Sequence, residues 1–131
     1  KMGTISEEPV TSTDYFATML ALAGAKPRPQ QHVDSVNLVP ALQGESLDRD
    51  AIFWHYPHYH GSAWTPGAAV RWGPWKLIEF YEYDEVELYN LGSDLGEREN
   101  LAEKMPEKRD ELRAMLRTWQ KQVGAKMPVK R

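Results

Sequence analysis

The chain has 131 residues, a formal net charge of −3 at pH 7 and no cysteine. This length suits one domain, residues 1–131, with a modest hydrophobic core. The slight acidic excess disfavours nucleic-acid binding, which needs clustered Lys and Arg, and the lack of cysteine excludes disulfides and thiolate metal sites. No apolar run approaches the roughly 20 residues of a bilayer-spanning helix, so we predict no membrane partner.

The first predicted element is a helix near the N-terminus. Hydroxyl side chains at residues 11–13 can accept its first backbone N–H groups, and Gly24 can end it in a left-handed conformation. Its apolar side chains recur at helical spacing: Phe16, Met19, Leu20 and Ala23. Prolines at positions 27 and 29 stop this helix, and a loop with a short helical turn near residues 40–42 leads to residue 50.

Four strands are predicted next, at residues 51–56, 68–72, 75–80 and 86–91. Between the second and third strands, Gly73 and Pro74 form a two-residue hairpin turn. Gly73 supplies the positive φ that a type II′ turn needs at its first position, whereas the fixed φ of Pro74 excludes type I′. Consecutive strands at hairpin spacing predict an antiparallel sheet.

The last predicted element is a helix that begins at Pro106, where the missing N–H of proline does no harm. Its apolar face reads Leu112, Met115, Leu116, Trp119 and Val123, and Gly124 ends it. We expect this face to be buried on the sheet. The predicted fold class is therefore α+β, a small four-stranded antiparallel sheet with a C-terminal helix packed across it and an N-terminal helix.

Two segments of the second half carry a recognisable pattern, AVRWGPWKLI at residues 69–78 and ELYNLGSDLGERENLA at residues 87–102. They resemble the C-terminal subdomain of bacterial arylsulfatase-type, formylglycine-dependent sulfatases. In that family a strand A-[VI]-R-x-G-x-[WY]-K-L-I precedes E-L-Y-[DN]-L, a turn D-P-x-E and N-L-A at the start of the last helix. The chain departs from this pattern at Leu95 and Gly96, where the family has Pro and a variable residue.

The resemblance extends upstream. EPVTSTD at residues 8–14 and LALAG at residues 20–24 resemble the helix that follows the catalytic core of the family. DSVNLVPALQG at residues 34–44 resembles the segment D-G-x-S-L-x-P-x-L-x-G, with Ser35 where Gly is usual. The resemblance thus covers the chain from about Glu8 to Trp119, and its motifs occur in the family's order.

The catalytic parts of the family are not in this sequence. The family makes its formylglycine nucleophile from the Cys or Ser of a [CS]-x-[PA]-x-R motif, which is absent, and binds calcium with acidic residues of its larger N-terminal part. The resemblance therefore implies the C-terminal part of a periplasmic or secreted enzyme that hydrolyses sulfate esters, of a sulfated glycan or an aryl sulfate. Its partner would be the N-terminal catalytic domain, which would hold calcium and formylglycine, and this chain alone would be inactive.

The densest group of candidate site residues is HYPHYH, residues 55–60. Imidazole donates and accepts hydrogen bonds and titrates near neutral pH. By resemblance, this loop reaches the rim of the active-site cleft. The predicted substrate-binding residues are His58 and His60 first, then His55, Tyr59 and Trp64. The alternatives are that His55 alternates with core residues of its strand and that the loop histidines are only solvated. A zinc site is disfavoured because no acidic fourth ligand lies nearby.

Two charged groups are predicted to be structural. Arg71 and Lys76 match the family's Arg and Lys; they could bind sulfate, but stabilising the sheet or docking it against the missing domain is the favoured interpretation. Acidic residues surround the hairpin between the third and fourth predicted strands and could bind calcium, although a solvated hairpin is favoured: Glu79, Glu82, Asp84, Glu85 and Glu87.

One alternative function stays open on the sequence. The five Trp and six Tyr residues could form a sugar-stacking surface as well as a core of large side chains. The chain could then be a non-catalytic glycan- or protein-binding α+β module.

Overall fold

The computed structural model describes residues 3, 5–61 and 63–129, and the chain divides into two compact units, residues 1–49 and 50–131. The first unit contains helices α1 (Asp14–Leu22) and α2 (Val39–Gln43). The second contains strands β1 (Ala51–Tyr56), β2 (Gly67–Trp72), β3 (Trp75–Phe80) and β4 (Glu85–Asn90), followed by helix α3 (Pro106–Gln122). This arrangement confirms the predicted α+β class.

Helix α1 buries a small polar face. Its buried side chains are Asp14, Ala17 and Thr18, whereas Phe16 and Met19 of the apolar series are 45% and 59% exposed. Gly24 lies just beyond the helix with a φ of +65°, as its predicted role requires. Phe16 and Met19 therefore lie on an exposed side of α1 rather than in a core.

The first unit is organised around the carboxylate of Asp14, which is fully buried. It accepts backbone hydrogen bonds from Thr11 (2.7 Å) and Val36 (3.1 Å), and both terminal nitrogens of the Arg49 guanidinium donate to it. The predicted hydroxyl cap is not formed at Thr13, which makes no capping hydrogen bond. Burial raises the pKa of Asp14, but the hydrogen bonds from Arg49 and the two backbone N–H groups lower it more, so the pKa lies below its usual value of 3.8.

The four strands form an antiparallel meander in the order β1-β2-β3-β4. Strand β2 begins one residue before its predicted start, and β4 lies one residue earlier than predicted. The β2–β3 turn is the expected two-residue hairpin, because Trp72 pairs with Trp75 and the φ of Gly73 is +53°. Each strand pair holds its register over six residues, so side chains alternate cleanly between the two faces of the sheet.

Helix α3 covers one face of this sheet. Leu112 and Leu116 are fully buried, as predicted, and the indole of Trp119 stacks on Phe53 with ring centroids 4.9 Å apart. The predicted burial of Val123 is wrong: the helix ends at Gln122, so Val123 lies past its last turn and is 54% exposed. The core between helix and sheet consists of Ala68, Val70, Leu77, Leu88, Ala102, Leu112 and Leu116.

The loop between β4 and α3 is held by polar side chains of the recognised pattern. Asp94 accepts hydrogen bonds from the backbone N–H groups of Arg98 and Glu99, at 2.7 and 2.9 Å. Asn100 accepts from the backbone N–H groups of Leu88 and Ala102, at 3.0 and 2.9 Å. The two side chains thus satisfy four backbone N–H groups, three in the loop and one in β4. The motif is therefore a structural signature.

Among the residues that the model describes, no helix is both long and apolar enough to cross a membrane.

Candidate functional site

His55 lies on the sheet face that α3 covers, within a closed hydrogen-bonded group. Its Nδ1 is 2.8 Å from the Tyr81 hydroxyl, its Nε2 is 3.0 Å from the Lys126 carbonyl oxygen, and Gln120 donates to Tyr81 at 2.7 Å. The amide N–H of Gln120 can only donate and the Lys126 carbonyl can only accept. A neutral His55 that donates from Nε2 and accepts the Tyr81 hydroxyl hydrogen at Nδ1 therefore satisfies the whole group. Both ring nitrogens of His55 are thus engaged by protein atoms.

Tyr81 is fixed as a hydrogen-bond donor in this group. Burial, together with the nearby charge of Glu79, raises the pKa of Tyr81 to about 12. The hydroxyl consequently keeps its proton throughout the neutral range.

The acidic residues around the β3–β4 hairpin were predicted to be solvated, and this prediction is wrong for Glu79. Its side chain is 1% exposed, and its Oε1 accepts hydrogen bonds from Arg113 (2.9 Å) and Arg117 (2.5 Å) of α3. Asp84 also pairs with Arg113, at 3.0 Å. Glu79 shares a face with Leu77 because the two lie two positions apart in the strand. Within the described ranges, no group of three or more His, Cys, Asp or Glu residues could hold a metal ion.

The opposite face of the sheet carries an open groove of about 720 Å³. Ala69, Ile78 and Tyr89 form a small buried cluster on this face, with Trp64, Phe80 and Leu91 packed against it. The groove is lined by Trp54, Tyr56, His60, Trp64, Ala69, Arg71, Lys76, Ile78, Leu91, Leu95 and Glu97. No helix of the 50–131 unit packs on this face in the described chain, as the contacts of α3 are with the other side.

The loop after β1 gathers the two favoured histidines around one tyrosine. The exposed rings of His58 and His60 both stand edge-on to the ring of Tyr56, with centroids 5.6 and 6.1 Å away. The loop is held by a backbone hydrogen bond of 3.1 Å from the His60 N–H to the carbonyl of Trp64. The two imidazoles are therefore held on one exposed edge of the groove.

Trp64 fixes the other end of this loop. Its indole N–H donates to the Tyr56 carbonyl at 3.3 Å, and its ring packs on Phe80 with centroids 5.7 Å apart. Gly67 allows this packing, because a Cβ at that position would lie 2.6 Å from the Glu79 carbonyl oxygen and 3.1 Å from the Trp64 ring. Trp64 is thus partly buried and acts as the floor of the loop.

Tyr59 points away from the core and is 66% exposed. A hydrogen bond to the Glu82 carboxylate raises the pKa of Tyr59 above its usual value of 10.0. The hydroxyl therefore keeps its proton at neutral pH and donates a hydrogen bond to Glu82.

The two basic residues of the recognised pattern differ in their partners. Lys76 forms an ion pair with Glu97, at 2.7 and 2.8 Å from its two carboxylate oxygens, which joins β3 to the loop before α3. Arg71 lies directly opposite Lys76 in the β2–β3 register. Its Nε–H is buried without a hydrogen-bond partner among the described residues.

Of the five predicted substrate-binding residues, three lie around Tyr56: His58, His60 and Trp64. Tyr59 lies on the same loop, but its hydroxyl is bonded to Glu82. His55 is separated from them by the sheet. Sequence reasoning missed Trp54 and Tyr56, which are 44% and 43% exposed on the groove side. The signal was available, since residues 54 and 56 of a strand share one face and residues 53 and 55 share the other.

Comparisons with known proteins agree with this fold. The family described as N-sulphoglucosamine sulphohydrolase, C-terminal, matches residues 1–124. A sulfatase from Formosa agariphila is 35% identical over 107 residues, which make up 74% of this chain and 19% of that protein.

Two solved structures superimpose on the chain at 28% identity. A 2-O GAG sulfatase does so with a TM-score of 0.71, over 86% of this chain and 25% of that one. An enzyme in complex with its substrate, D-glucosamine-2-N,6-O-disulfate, does so with a TM-score of 0.69, over 88% of this chain and 24% of that one.

The fold and these matches together define a sulfatase C-terminal domain. The chain belongs to the N-sulphoglucosamine sulphohydrolase C-terminal family, as the resemblance predicted. It spans about a fifth to a quarter of the length of the relatives and solved structures that it matches.

Proposed function

We propose that this chain is the C-terminal part of an enzyme that hydrolyses sulfate esters of a sulfated glycan, and that its His-rich loop forms part of the substrate wall. The similar solved structures include a 2-O GAG sulfatase and an enzyme bound to a disulfated glucosamine, which supports a glycan as the substrate. A periplasmic or secreted location would match such a substrate.

The residues of this chain do not fit the cofactors that the resemblance implies. The sequence has no Cys and no Ser that begins a [CS]-x-[PA]-x-R motif, and the described residues offer no metal-binding cluster. Formylglycine would supply the nucleophile for sulfate-ester cleavage and calcium would bind the sulfate. Both would belong to an N-terminal catalytic domain, so the role of this chain is to complete the fold and to position the substrate.

The observation that carries the proposal is the pair of exposed imidazoles that stand edge-on to Tyr56. An imidazole can donate to a sugar hydroxyl oxygen, and when protonated it can pair with a carboxylate or sulfate. Tyr59 adds an exposed ring on the same loop. Together these groups offer hydrogen bonds and a stacking surface for a sugar ring.

His55 does not fit this wall. The Lys126 carbonyl and the Tyr81 hydroxyl engage both of its ring nitrogens. A role in holding the segment after α3 therefore explains its contacts, and its predicted part in substrate binding is not favoured by the geometry.

In the full-length enzyme, His58→Ala and His60→Ala are expected to lower kcat/KM for the sulfated glycan and to leave a small aryl sulfate nearly unaffected. The loss of one hydrogen bond costs about 0.5–1.5 kcal/mol, and up to about 3 kcal/mol when a charged group is left unpaired. The expected drop is therefore roughly two-fold to over a hundred-fold. Steady-state kinetics on both substrates measures it.

His32→Ala provides the matched control, since His32 lies in the 1–49 unit and its Nε2 accepts a backbone hydrogen bond from Arg28. Equal losses on both substrates would assign the loop histidines to the sulfate group itself. Unchanged kinetics on both would contradict the proposed wall.

A further inference from the structure

The charged residues are unevenly distributed along the chain. Residues 112–131 hold six basic residues and no acidic one, whereas residues 1–111 hold ten basic and nineteen acidic residues. Two of the six, Lys130 and Arg131, lie outside the described residues. The small net charge of the whole chain therefore conceals a strongly basic segment, and such an asymmetry is typical of contact with an anionic partner.

Three of these basic side chains form a row along the exposed side of α3. Arg113, Arg117 and Lys121 recur every four residues, which places them about one helical turn apart on the same side of the helix. The side chains of Arg113 and Arg117 are 35% and 44% exposed, and Lys121 is exposed as well. Like charges at this spacing repel, so an anion bound along the row would relieve the repulsion.

One buried carboxylate orients two members of the row but neutralises only one of them. Oε1 of Glu79 accepts hydrogen bonds from both Arg113 and Arg117, so a single negative charge faces two guanidinium groups. Arg113 also pairs with Asp84, whose side chain is 88% exposed, whereas Lys121 has no ion-pair partner within the described part of the chain. The unneutralised positive charge therefore lies toward the Lys121 end of the row.

A fourth cation is held at this same end of α3 by the hydrogen-bonded group around His55. The carbonyl oxygen of Lys126 lies 3.0 Å from the Nε2 of His55, and the N–H of Ala125 donates to the Gln120 carbonyl at 2.9 Å. These contacts fix the backbone just after the helix, where Lys126 is exposed. Four side chains thus make up one basic surface: Arg113, Arg117, Lys121 and Lys126.

We propose that this basic surface binds a sulfated polysaccharide chain outside the catalytic cleft and so retains long substrates on the enzyme. The inference rests on the proposed function and deepens it, because a sulfated glycan presents sulfate groups along its length to a row of cations. Guanidinium groups match such oxyanions through parallel N–H donors. The wall formed by His58 and His60 lies at the groove face of the sheet, whereas α3 covers the opposite face. Only a chain of several sugars could therefore contact both.

A polysaccharide suits the basic surface better than a membrane does. A helix that lies on a membrane inserts a continuous apolar face between the lipids. The apolar side chains of α3, such as Leu112 and Leu116, are instead buried on the sheet. The exposed Val123 and Met127 lie beyond the end of the helix and do not continue its row.

Binding of the full-length protein to immobilised dextran sulfate, a sugar polymer that carries only sulfate esters, tests the basic surface. The double substitution Lys121→Ala/Lys126→Ala is expected to weaken binding about ten-fold at low salt and to reduce its salt dependence, because fewer counterions are released from a linear polyanion when fewer cations bind it. Alanine keeps the helix and the Lys126 carbonyl that contacts His55. Asp84→Asn is expected to strengthen binding, since it frees Arg113 from a competing carboxylate.

The charge-matched control is Lys26→Ala/Lys104→Ala, which removes two exposed cations outside the basic surface. It should weaken binding less than about two-fold, because both sites are solvated and separate from the row. Equal weakening by the two double variants would assign the effect to net charge and overturn the proposal. Affinity of Lys121→Ala/Lys126→Ala equal to wild type would also overturn it. Vesicles of anionic phospholipid that bind through Lys121 and Lys126, without binding of dextran sulfate, would replace the polysaccharide by a membrane.

Kinetics of the full-length enzyme distinguish this proposal from the proposed function. Lys121→Ala/Lys126→Ala should raise KM for a long sulfated polysaccharide, leave kcat unchanged and leave a small aryl sulfate unaffected, because the lost contact is made equally in the ground and transition states. Glycan turnover that depends on His58, with unchanged affinity of the double variant for dextran sulfate, would remove the basic surface and leave the proposed function standing. Loss of dextran sulfate binding in a full-length protein without sulfatase activity would support the basic surface and contradict the proposed function.

Discussion

Asp14→Asn is expected to destabilise the 1–49 unit by about 3–5 kcal/mol. The substitution leaves the guanidinium of Arg49, whose side chain is 9% exposed, without its carboxylate partner, and breaking a buried ion pair on one side has this magnitude. Amide hydrogen exchange at Thr11 and Val36, whose N–H groups donate to Asp14, reports the loss residue by residue. Exchange there should become faster by two or more orders of magnitude.

Asp48→Asn is the matched control, because Asp48 is the exposed neighbour of Arg49 in the chain. It should change the stability of the unit by less than about 0.5 kcal/mol. Equal effects of the two substitutions would show that net charge, and not the buried pair, holds this unit together.

The ion pair between Asp14 and Arg49 should also make the stability of the 1–49 unit depend on pH. Because the pKa of Asp14 in the folded chain lies below its ordinary value of 3.8, the pair contributes fully above about pH 3.8. That contribution is lost as the pH falls through the folded-state pKa. The stability of Asp14→Asn should lack this acid-dependent step, and a step of equal size in both proteins would assign it to other carboxylates.

Trp119→Ala is expected to destabilise the 50–131 unit by about 3 kcal/mol, the lower end of the range for a buried aromatic side chain. The indole is only partly buried, but it stacks nearly parallel on Phe53, with an interplanar angle of 5°, and such pairs add to the energy of area burial. Denaturant unfolding followed by far-ultraviolet circular dichroism measures the loss without relying on tryptophan fluorescence.

Val123→Ala and His58→Ala provide two controls for that measurement. Val123 belongs to the same apolar series as Trp119 but is 54% exposed, and His58 lies on the exposed loop. Each should cost less than about 0.5 kcal/mol. A loss for His58→Ala as large as that for Trp119→Ala would mean that the loop is structural.

The elements themselves could be predicted from the sequence because their signals are local and periodic. Leu112 and Leu116 recur one helical turn apart, and the Gly73-Pro74 turn allows one backbone geometry. The error at Val123 has a local cause too: the apolar period continues past residue 122, while the helix does not.

The charged residues could not be assigned in the same way. In the sequence, Glu79 is one of five acidic residues that look alike. Its burial depends on ion pairs with Arg113 and Arg117, which are 34 and 38 residues away in sequence. Lys76 and Arg71 look equivalent in the pattern, yet only Lys76 meets a partner, Glu97, whose position depends on the loop before α3. Such pairings follow from the three-dimensional arrangement and not from spacing.

The candidate site was predicted in part. The alternation of side chains along a strand allowed His55 to face the core as one alternative. The structure places His55 on the face covered by α3, where it contacts Tyr81 and Gln120. The grouping of His58 and His60 around Tyr56 depends on a loop without periodicity, closed by the His60–Trp64 bridge. No sequence period determines such a loop, so only the composition of the site could be anticipated.

We propose that this chain completes a sulfatase whose nucleophile lies in another part of the protein. Sulfate release from a sulfated glucosamine and from an aryl sulfate, with calcium present, can be compared for the full-length protein and for residues 1–131 alone. We expect turnover by the full-length protein and none above background by residues 1–131. Turnover by residues 1–131 that is abolished by a substitution within them would contradict it.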